Sequence, residues 1–464
     1  MLLDRITGLI LAGSVVFMLA GEILGEPLFL LGASACVVAF LACNTARVPW
    51  SRKAFVLVGL ALFATALATR SDWWSLTERG LATGAFVAAF FSALASLRSA
   101  AGTSHDIRRC GRFLAEQPPG RRYLALTAGG HLFGIMLLYG AITLLGSLAE
   151  ASARSEPNEE IRRVRTRRML LAIQRGFIAT LSWSPLTFSM AITSSIVEGA
   201  SWGGVVAYGL VSSIILAGTG WAIDTIFKPK LTVPRPVRGR TDNHWEKLAP
   251  LLILLVVLMG LVGLLHFVTG LKTVSAVMLV VPFLSAGWIL LQGRGSWRMR
   301  AAYLGRRSKK FLESELAVYR PELVLLIMAG FIGTLGAGLL APWMAESGFS
   351  LSAVPVWLLL LGLLWMVPIT GQIGMNPILA VSLIAPLIPS AADFGISPNM
   401  IVLAITAGWA LSGASSPYTA TTLMVGAIGK VSALHVGWRW NGYYTLVSGL
   451  LLSAWVLLAA YLLA

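Results

Sequence analysis

The chain has 464 residues, of which 57% are hydrophobic and 12% charged; this balance excludes an ordinary soluble domain and points to a polytopic membrane protein. Its formal charge of +16 invites a nucleic-acid partner. However, Arg and Lys gather in a few connecting segments between apolar stretches of membrane length, which is the positive-inside pattern of a protein whose partner is the lipid bilayer.

Spans of roughly 18 to 25 apolar residues follow one another along the chain. The first half reads 6–24, 28–43, 54–69 and 81–97, then an apolar segment with a glycine-rich middle at 123–148. The run 6–24 lacks a small-residue cleavage site and passes through Gly21-Glu22 straight into the next span, so it reads as a retained helix rather than a signal peptide. A polar-centred stretch, 169–198, and a plain span, 205–227, complete this half. After a basic linker, 231–247, the second half reads 248–268, 274–291, a basic amphipathic connector through 300–318, and 322–340. A long apolar segment, 354–390, a second polar-centred stretch, 400–431, and a last span, 438–463, close the chain. Cys36, Cys43 and Cys110 show neither metal-ligand spacing nor a disulfide framework.

The two polar-centred stretches share a grammar. One carries Ser182-Trp183-Ser184-Pro185-Leu186-Thr187-Phe188-Ser189; the other carries Ser412-Gly413-Ala414-Ser415-Ser416-Pro417-Tyr418-Thr419-Ala420-Thr421-Thr422. A single offset of 232 residues pairs Pro185 with Pro417, Gly176 with Gly408, Ser184 with Ser416, Thr187 with Thr419 and Ser189 with Thr421. A proline and clustered hydroxyls at membrane depth predict a helix interrupted where it lines a cavity. Two interrupted helices at matching places in two halves are the sequence mark of a transporter's binding site.

The segment 354–390 is too long for one upright helix and is interrupted by Pro368-Ile369-Thr370-Gly371-Gln372-Ile373-Gly374-Met375-Asn376-Pro377. Two half-length helices meeting at membrane depth, a re-entrant hairpin, account for both features. The corresponding first-half segment, 121–150, is expected to form the matching hairpin with Thr127-Ala128-Gly129-Gly130-His131 at its tip; a plain helix with a glycine kink is the alternative. Charge supports the hairpins. With both in place the basic clusters at 47–53, 108–122, 162–168, 228–240 and 294–310 fall on one side, while Glu22, Glu26, Arg70, Asp72, Glu78, Arg79, Glu198, Lys272, Glu346 and Asp393 fall on the other. The expected fold is an all-α polytopic membrane protein of about eleven crossings plus two re-entrant hairpins, N-terminus inside and C-terminus outside. Its expected parts are N-terminal helices 1–50, a first inverted repeat 51–230, the linker 231–247, and a second inverted repeat 248–464.

This plan resembles the ion-transporter superfamily, and most closely the divalent anion/sodium symporter layout. The resemblance covers nearly the whole chain in organisation. It implies eleven helices, one hairpin entering from each side, two discontinuous helices facing them, a homodimer held together by the remaining helices, and elevator-type motion. In that family the hairpin tips carry Ser-Asn-Thr. Here Asn376 and Thr370 echo the pattern, whereas Gly129-Gly130-His131 departs from it. The membrane subunit of tripartite periplasmic transporters and the arsenite exporters share the same plan.

An interrupted helix bares N–H groups at one stump and carbonyls at the other, with about half an elementary charge of dipole at each end. N-terminal stumps suit a carboxylate or oxyanion; carbonyls with Ser, Thr and Asn oxygens suit Na⁺. The expected substrate-binding residues are Gly130, His131, Ser184, Pro185, Thr187, Gln372, Asn376, Ser415, Ser416, Pro417 and Thr419. The expected ion-binding residues are Ser182, Ser189, Thr370, Ser412, Thr421 and Thr422. The bland alternative is that these small residues only let helices pack closely. His131, with an ordinary pKa near 6.5, suits a proton carrier or an anion contact, or a satisfied structural role. No His-Glu-x-x-His, Walker loop or Gly-x-Ser-x-Gly occurs, so neither an ATP-driven pump nor a known enzyme class is expected. The expected function is secondary transport of a small organic anion coupled to Na⁺ or H⁺ in a bacterial inner membrane. The alternatives are an exporter of an inorganic or metalloid oxyanion, or a membrane subunit of a multi-component transporter.

Overall fold

A computed structural model describes residues 2–229, 232, 244–346 and 354–463. The linker cations Lys230, Arg235, Arg238 and Arg240 lie outside the described residues. Every described element is helical: α1 Leu2–Leu24, α2 Pro27–Asn44, α3 Trp50–Thr69, α4 Trp73–Thr103, α5 His105–Ala115, α6 Pro119–Leu137, α7 Gly140–Arg154, α8 Glu159–Ala179, α9 Phe188–Ile196 and α10 Trp202–Ile226, then α11 Ala249–Thr269, α12 Thr273–Gln292, α13 Trp297–Lys310, α14 Leu316–Val318, α15 Arg320–Glu346, α16 Val356–Gln372, α17 Pro377–Ile384, α18 Pro398–Ser415, α19 Ala420–Gly429 and α20 Gly442–Leu463. Among the described residues ten helices are long and apolar enough to cross a membrane. These ten coincide with ten of the spans read from the sequence; the first interrupted helix, α8–α9, is not among them.

The chain divides into two compact units that do not coincide with its two sequence halves. One comprises Met1–Thr103, Leu258–Val354 and Ile378–Pro389; the other comprises Ser104–Val257, Pro355–Pro377 and Ser390–Ala464. In the first unit α4 is central, packed by α1, α2, α12 and α15. Its run Ala85, Val87, Ala88, Ala89 and Phe90 is fully buried, and the small side chains let the neighbouring backbones close in, since lipid offers no hydrophobic drive between helices. The segment α17 belongs to this unit, where Ser382 lies against Gly333 of α15.

The second unit contains both interrupted helices. In it α6 packs on α7 and α8, α16 on α18, α10 on α20, and α18 on α9. Gly176 and Gly408, the pair related by the 232 offset, make the same kind of contact: a Cβ on either would collide with a carbonyl oxygen of the helix alongside, Thr127 on α6 or Leu364 on α16. Glycine is required at both because backbone meets backbone there. Between α8 and α10, Arg168 donates to Asp224 through Nε at 2.8 Å and Nη2 at 2.6 Å, a bidentate pair with the carboxylate mostly enclosed.

One expectation is corrected. Helix α6 runs unbroken through Gly129-Gly130-His131, and the hairpin reverses later, at Leu138-Tyr139, with Leu138 at φ +49°. Leu145 on α7 then packs back beside Gly129. Gly129 and Gly130 are packing positions, not the tip: a Cβ on Gly130 would strike the Ile173 carbonyl of α8.

Candidate functional site

Both interruptions are present at the predicted places. In the first, α8 tightens into a 3-10 turn over Thr180–Ser182, the chain leaves the helix at 183–187, and α9 restarts at Phe188. In the second, α18 stops at Ser415 and α19 restarts at Ala420. Proline is the local cause. Pro185 and Pro417 have no N–H to give, and the residue before a proline is pushed to extended backbone, as Ser416 is with φ −71° and ψ 127°.

The two interruptions are built alike, bond for bond. Thr187 Oγ1 donates to the Ser184 carbonyl at 2.7 Å, and Thr419 Oγ1 to the Ser416 carbonyl at 3.0 Å. The hydroxyls of Thr187 and Ser189 meet at 3.1 Å, those of Thr419 and Thr421 at 3.0 Å. Ser189 Oγ reaches back across the gap to the Leu181 carbonyl, as Thr421 Oγ1 does to the Gly413 carbonyl. The Ala191 N–H donates to Thr187 O at 3.0 Å and the Leu423 N–H to Thr419 O at 3.1 Å. Every residue in one set stands 232 positions from its counterpart. A repeat preserved at the level of single hydrogen bonds is beyond what close packing alone requires.

Neither Thr187 nor Thr419 caps the helix it precedes with its side chain. Both hydroxyls turn back into the gap, so the first turns of α9 and α19 keep N–H groups without a side-chain cap, at the positive end of each helix dipole. That arrangement suits an anion.

The second interruption differs from the first in two ways. Thr422 Oγ1 adds a bond to the Ser416 carbonyl at 2.6 Å, where the first repeat has Met190. It is also more open: Leu186 is buried whereas its counterpart Tyr418 is 63% exposed. A cleft of about 270 Å³ lies beside it, lined among others by Trp365, Gln372, Ser415, Trp438 and Thr445. Gln372 spans this cleft, donating to Ser415 Oγ at 3.3 Å and accepting from Trp438 Nε1 at 2.9 Å. Ser416 Oγ donates to the Gly371 carbonyl at 2.6 Å. The hydroxyls of Ser412 and Thr445 are buried without a hydrogen-bond partner among the described residues.

Most of the predicted site residues are therefore gathered in one unit, around two adjoining interruptions. Ser182, Ser184, Pro185, Thr187 and Ser189 form the first, joined by His131. Its ring stacks on Trp183 at 5.7 Å between centroids. Trp183 Nε1 donates to His131 Nε2 at 3.2 Å, which leaves Nδ1 to carry the proton and donate to the Gly176 carbonyl at 3.3 Å. Ser412, Ser415, Ser416, Pro417, Thr419, Thr421, Thr422 and Gln372 form the second. Thr370 turns its hydroxyl to its own helix, bonding Met366 O at 2.8 Å, while its carbonyl closes the turn by accepting from Ile373 and Met375 N–H groups. Asn376 stands in the turn just before α17.

Three residues were missed by sequence reasoning: Gln174, Arg175 and Asn441. Arg175 is 3% exposed, and among the described residues its hydrogen bonds all go to neutral groups. It donates to Asn441 Oδ1 at 3.1 Å, Tyr123 Oη at 3.1 Å, Trp440 O at 3.3 Å and Gly220 O at 3.5 Å, and it lies 4.4 Å from the Tyr444 ring centroid. The available signal was an isolated arginine within a stretch read as membrane-embedded.

Comparison with solved structures finds the same fold in two proteins described as a transporter and an efflux pump. The chain is similar to the YdaH transporter of Alcanivorax borkumensis, with 16% identity, a TM-score of 0.54, and coverage of 89% of this chain and 99% of that one. It is also similar to Neisseria gonorrhoeae MtrF, described within a class of antimetabolite efflux pumps, with 15% identity, a TM-score of 0.52, and coverage of 90% and 96%. No protein-family model and no curated protein matches the chain.

Proposed function

We propose that this protein is a secondary active transporter whose site lies at the two interruptions and the cleft beside the second. The observation that carries the reading is the bond-for-bond repeat, which presents two N-terminal stumps lacking side-chain caps and two sets of hydroxyls in one compact unit. N–H stumps favour a small organic anion of carboxylate type, and hydroxyls with bared carbonyls favour Na⁺ as the coupling ion, with H⁺ the other candidate. The protein resides in a bacterial inner membrane with the N-terminus inside and the α6–α7 hairpin re-entrant; the expected second hairpin over 354–390 does not enter this reading, because α17 groups with the unit of α15 rather than with α16. It acts as a homodimer in which the unit holding the interruptions moves in elevator fashion, and it is not an enzyme. The division into two compact units supports that motion.

The test is accumulation of radiolabelled succinate by the purified full chain in liposomes under an inward Na⁺ or H⁺ gradient. Uptake above the equilibrium level supports the reading. Absence of gradient-driven movement of any dicarboxylate or oxyanion in either direction sinks it. Export is the second reading, favoured by the likeness to an efflux pump. It predicts raised tolerance of arsenite or of antimetabolites in cells expressing the chain, with no accumulation from outside.

A further inference from the structure

The two interruptions match in their own bonds but not in what surrounds them. The Gly413 carbonyl, at the C-terminal stump of α18, accepts from Thr421 Oγ1 and also from Gln174 Nε2 at 3.2 Å. Its counterpart, the Leu181 carbonyl, accepts from Ser189 Oγ, with no second donor among the described residues. Gln174 in turn accepts at Oε1 from Asn441 Nδ2 at 3.0 Å, and Asn441 accepts at Oδ1 from Arg175 Nε at 3.1 Å. A guanidinium only donates, so it fixes which way both carboxamides point. Arg175, Asn441, Gln174 and Gly413 therefore form one chain of hydrogen bonds with all dipoles aligned, leading from a buried positive charge to the second interruption. Aligned bonds in a low-dielectric interior reinforce one another.

No carboxylate pairs with Arg175 among the described residues. A buried cation held only by neutral oxygens leaves a positive potential that reaches well beyond its contacts, because little water is present to screen it. The carbonyl that a small cation would seek at the second interruption already has both lone pairs engaged.

We infer that Arg175 is a built-in cation that, through Asn441 and Gln174, sets the second interruption to favour an anionic ligand and reject a small cation. Arg175 is a positioning residue that acts on selectivity without touching the ligand. The inference deepens the transporter reading and rests on it for the second interruption being a binding place; its test does not use transport.

The test is charge-selective thiol labelling. In the full chain with Cys36, Cys43 and Cys110 replaced by Ala, Tyr418→Cys places a thiol at the exposed edge of the second interruption. Its reaction rates with an anionic and a cationic methanethiosulfonate are compared at fixed pH and low salt. The ratio of the two rates reports the local potential, because any change in thiol ionisation affects both reagents equally. Adding Arg175→Gln lowers the anion-to-cation ratio by about fivefold or more, and Gln174→Leu, which cuts the chain while keeping the charge, lowers it by about twofold or more. An unchanged ratio in both variants overturns the inference, and a fall for Arg175→Gln alone overturns the relay through Gln174. If Arg175→Gln fails to yield a monodisperse protein, the Gln174→Leu ratio alone decides. A flat ratio here leaves liposome accumulation free to succeed, so the two failures are distinguishable.

Discussion

At each interruption a side-chain hydroxyl does what the missing proline N–H would have done in a continuous helix: Ser189 and Thr421 bond the Leu181 and Gly413 carbonyls, four residues before Pro185 and Pro417. Thr187 and Thr419 bond the Ser184 and Ser416 carbonyls and the hydroxyls of Ser189 and Thr421 two residues on. Thr187→Val and Thr419→Val keep shape and remove one hydroxyl, so each is expected to cost about 1 kcal/mol of stability while lowering gradient-driven uptake by about tenfold, the loss of one solute bond. Uptake rates set beside melting midpoints in detergent would check it; unchanged uptake in both variants places the solute elsewhere. These threonines were legible because a proline marked each helix break and the 232 offset marked the pair. The role of His131 was not. Its ring is held neutral between a tryptophan donor and a carbonyl acceptor, and that tautomer depends on Trp183, a partner no local pattern connects to it.

At the scale of elements, what the sequence signals was governed by turn chemistry. Gly129-Gly130 looked like a hairpin tip because glycine pairs usually mark turns. Here they are spent on close contact with α7 and α8, and the turn falls on Leu138-Tyr139, followed only by the single Gly140 at the start of α7. Arg175 escaped notice for a related reason: its meaning lies in Tyr123, Asn441 and Gly220, which come from three other segments. The paired glycines of the interrupted helices make a sharper statement. Gly408→Val would drive a branched side chain into the Leu364 carbonyl of α16. It is expected to destabilise the protein by about 1–3 kcal/mol through forced separation of the two helices. Gly176→Val should do the same against α6, and a melting midpoint within a degree of wild type in both would contradict the packing described.

For the whole molecule, the topology read from charge asymmetry makes a direct demand. Arg163 is exposed in the first turns of α8, and Glu198 is exposed just beyond α9. With α8–α9 crossing once, Arg163→Cys should label from the cytoplasm only and Glu198→Cys from outside only; labelling of both from one face would overturn the orientation. The span positions were readable because apolar length and loop charge are properties of single segments. The grouping into two units was not, since each unit draws on both halves of the chain. The interruptions themselves carry a last consequence. Hydroxyls bonded to the surrounding carbonyls let each break hold its shape with its own side chains. Thr187→Val combined with Ser189→Ala should therefore lower the melting midpoint further than either change alone, and a midpoint equal to wild type would show that the break is held by packing instead.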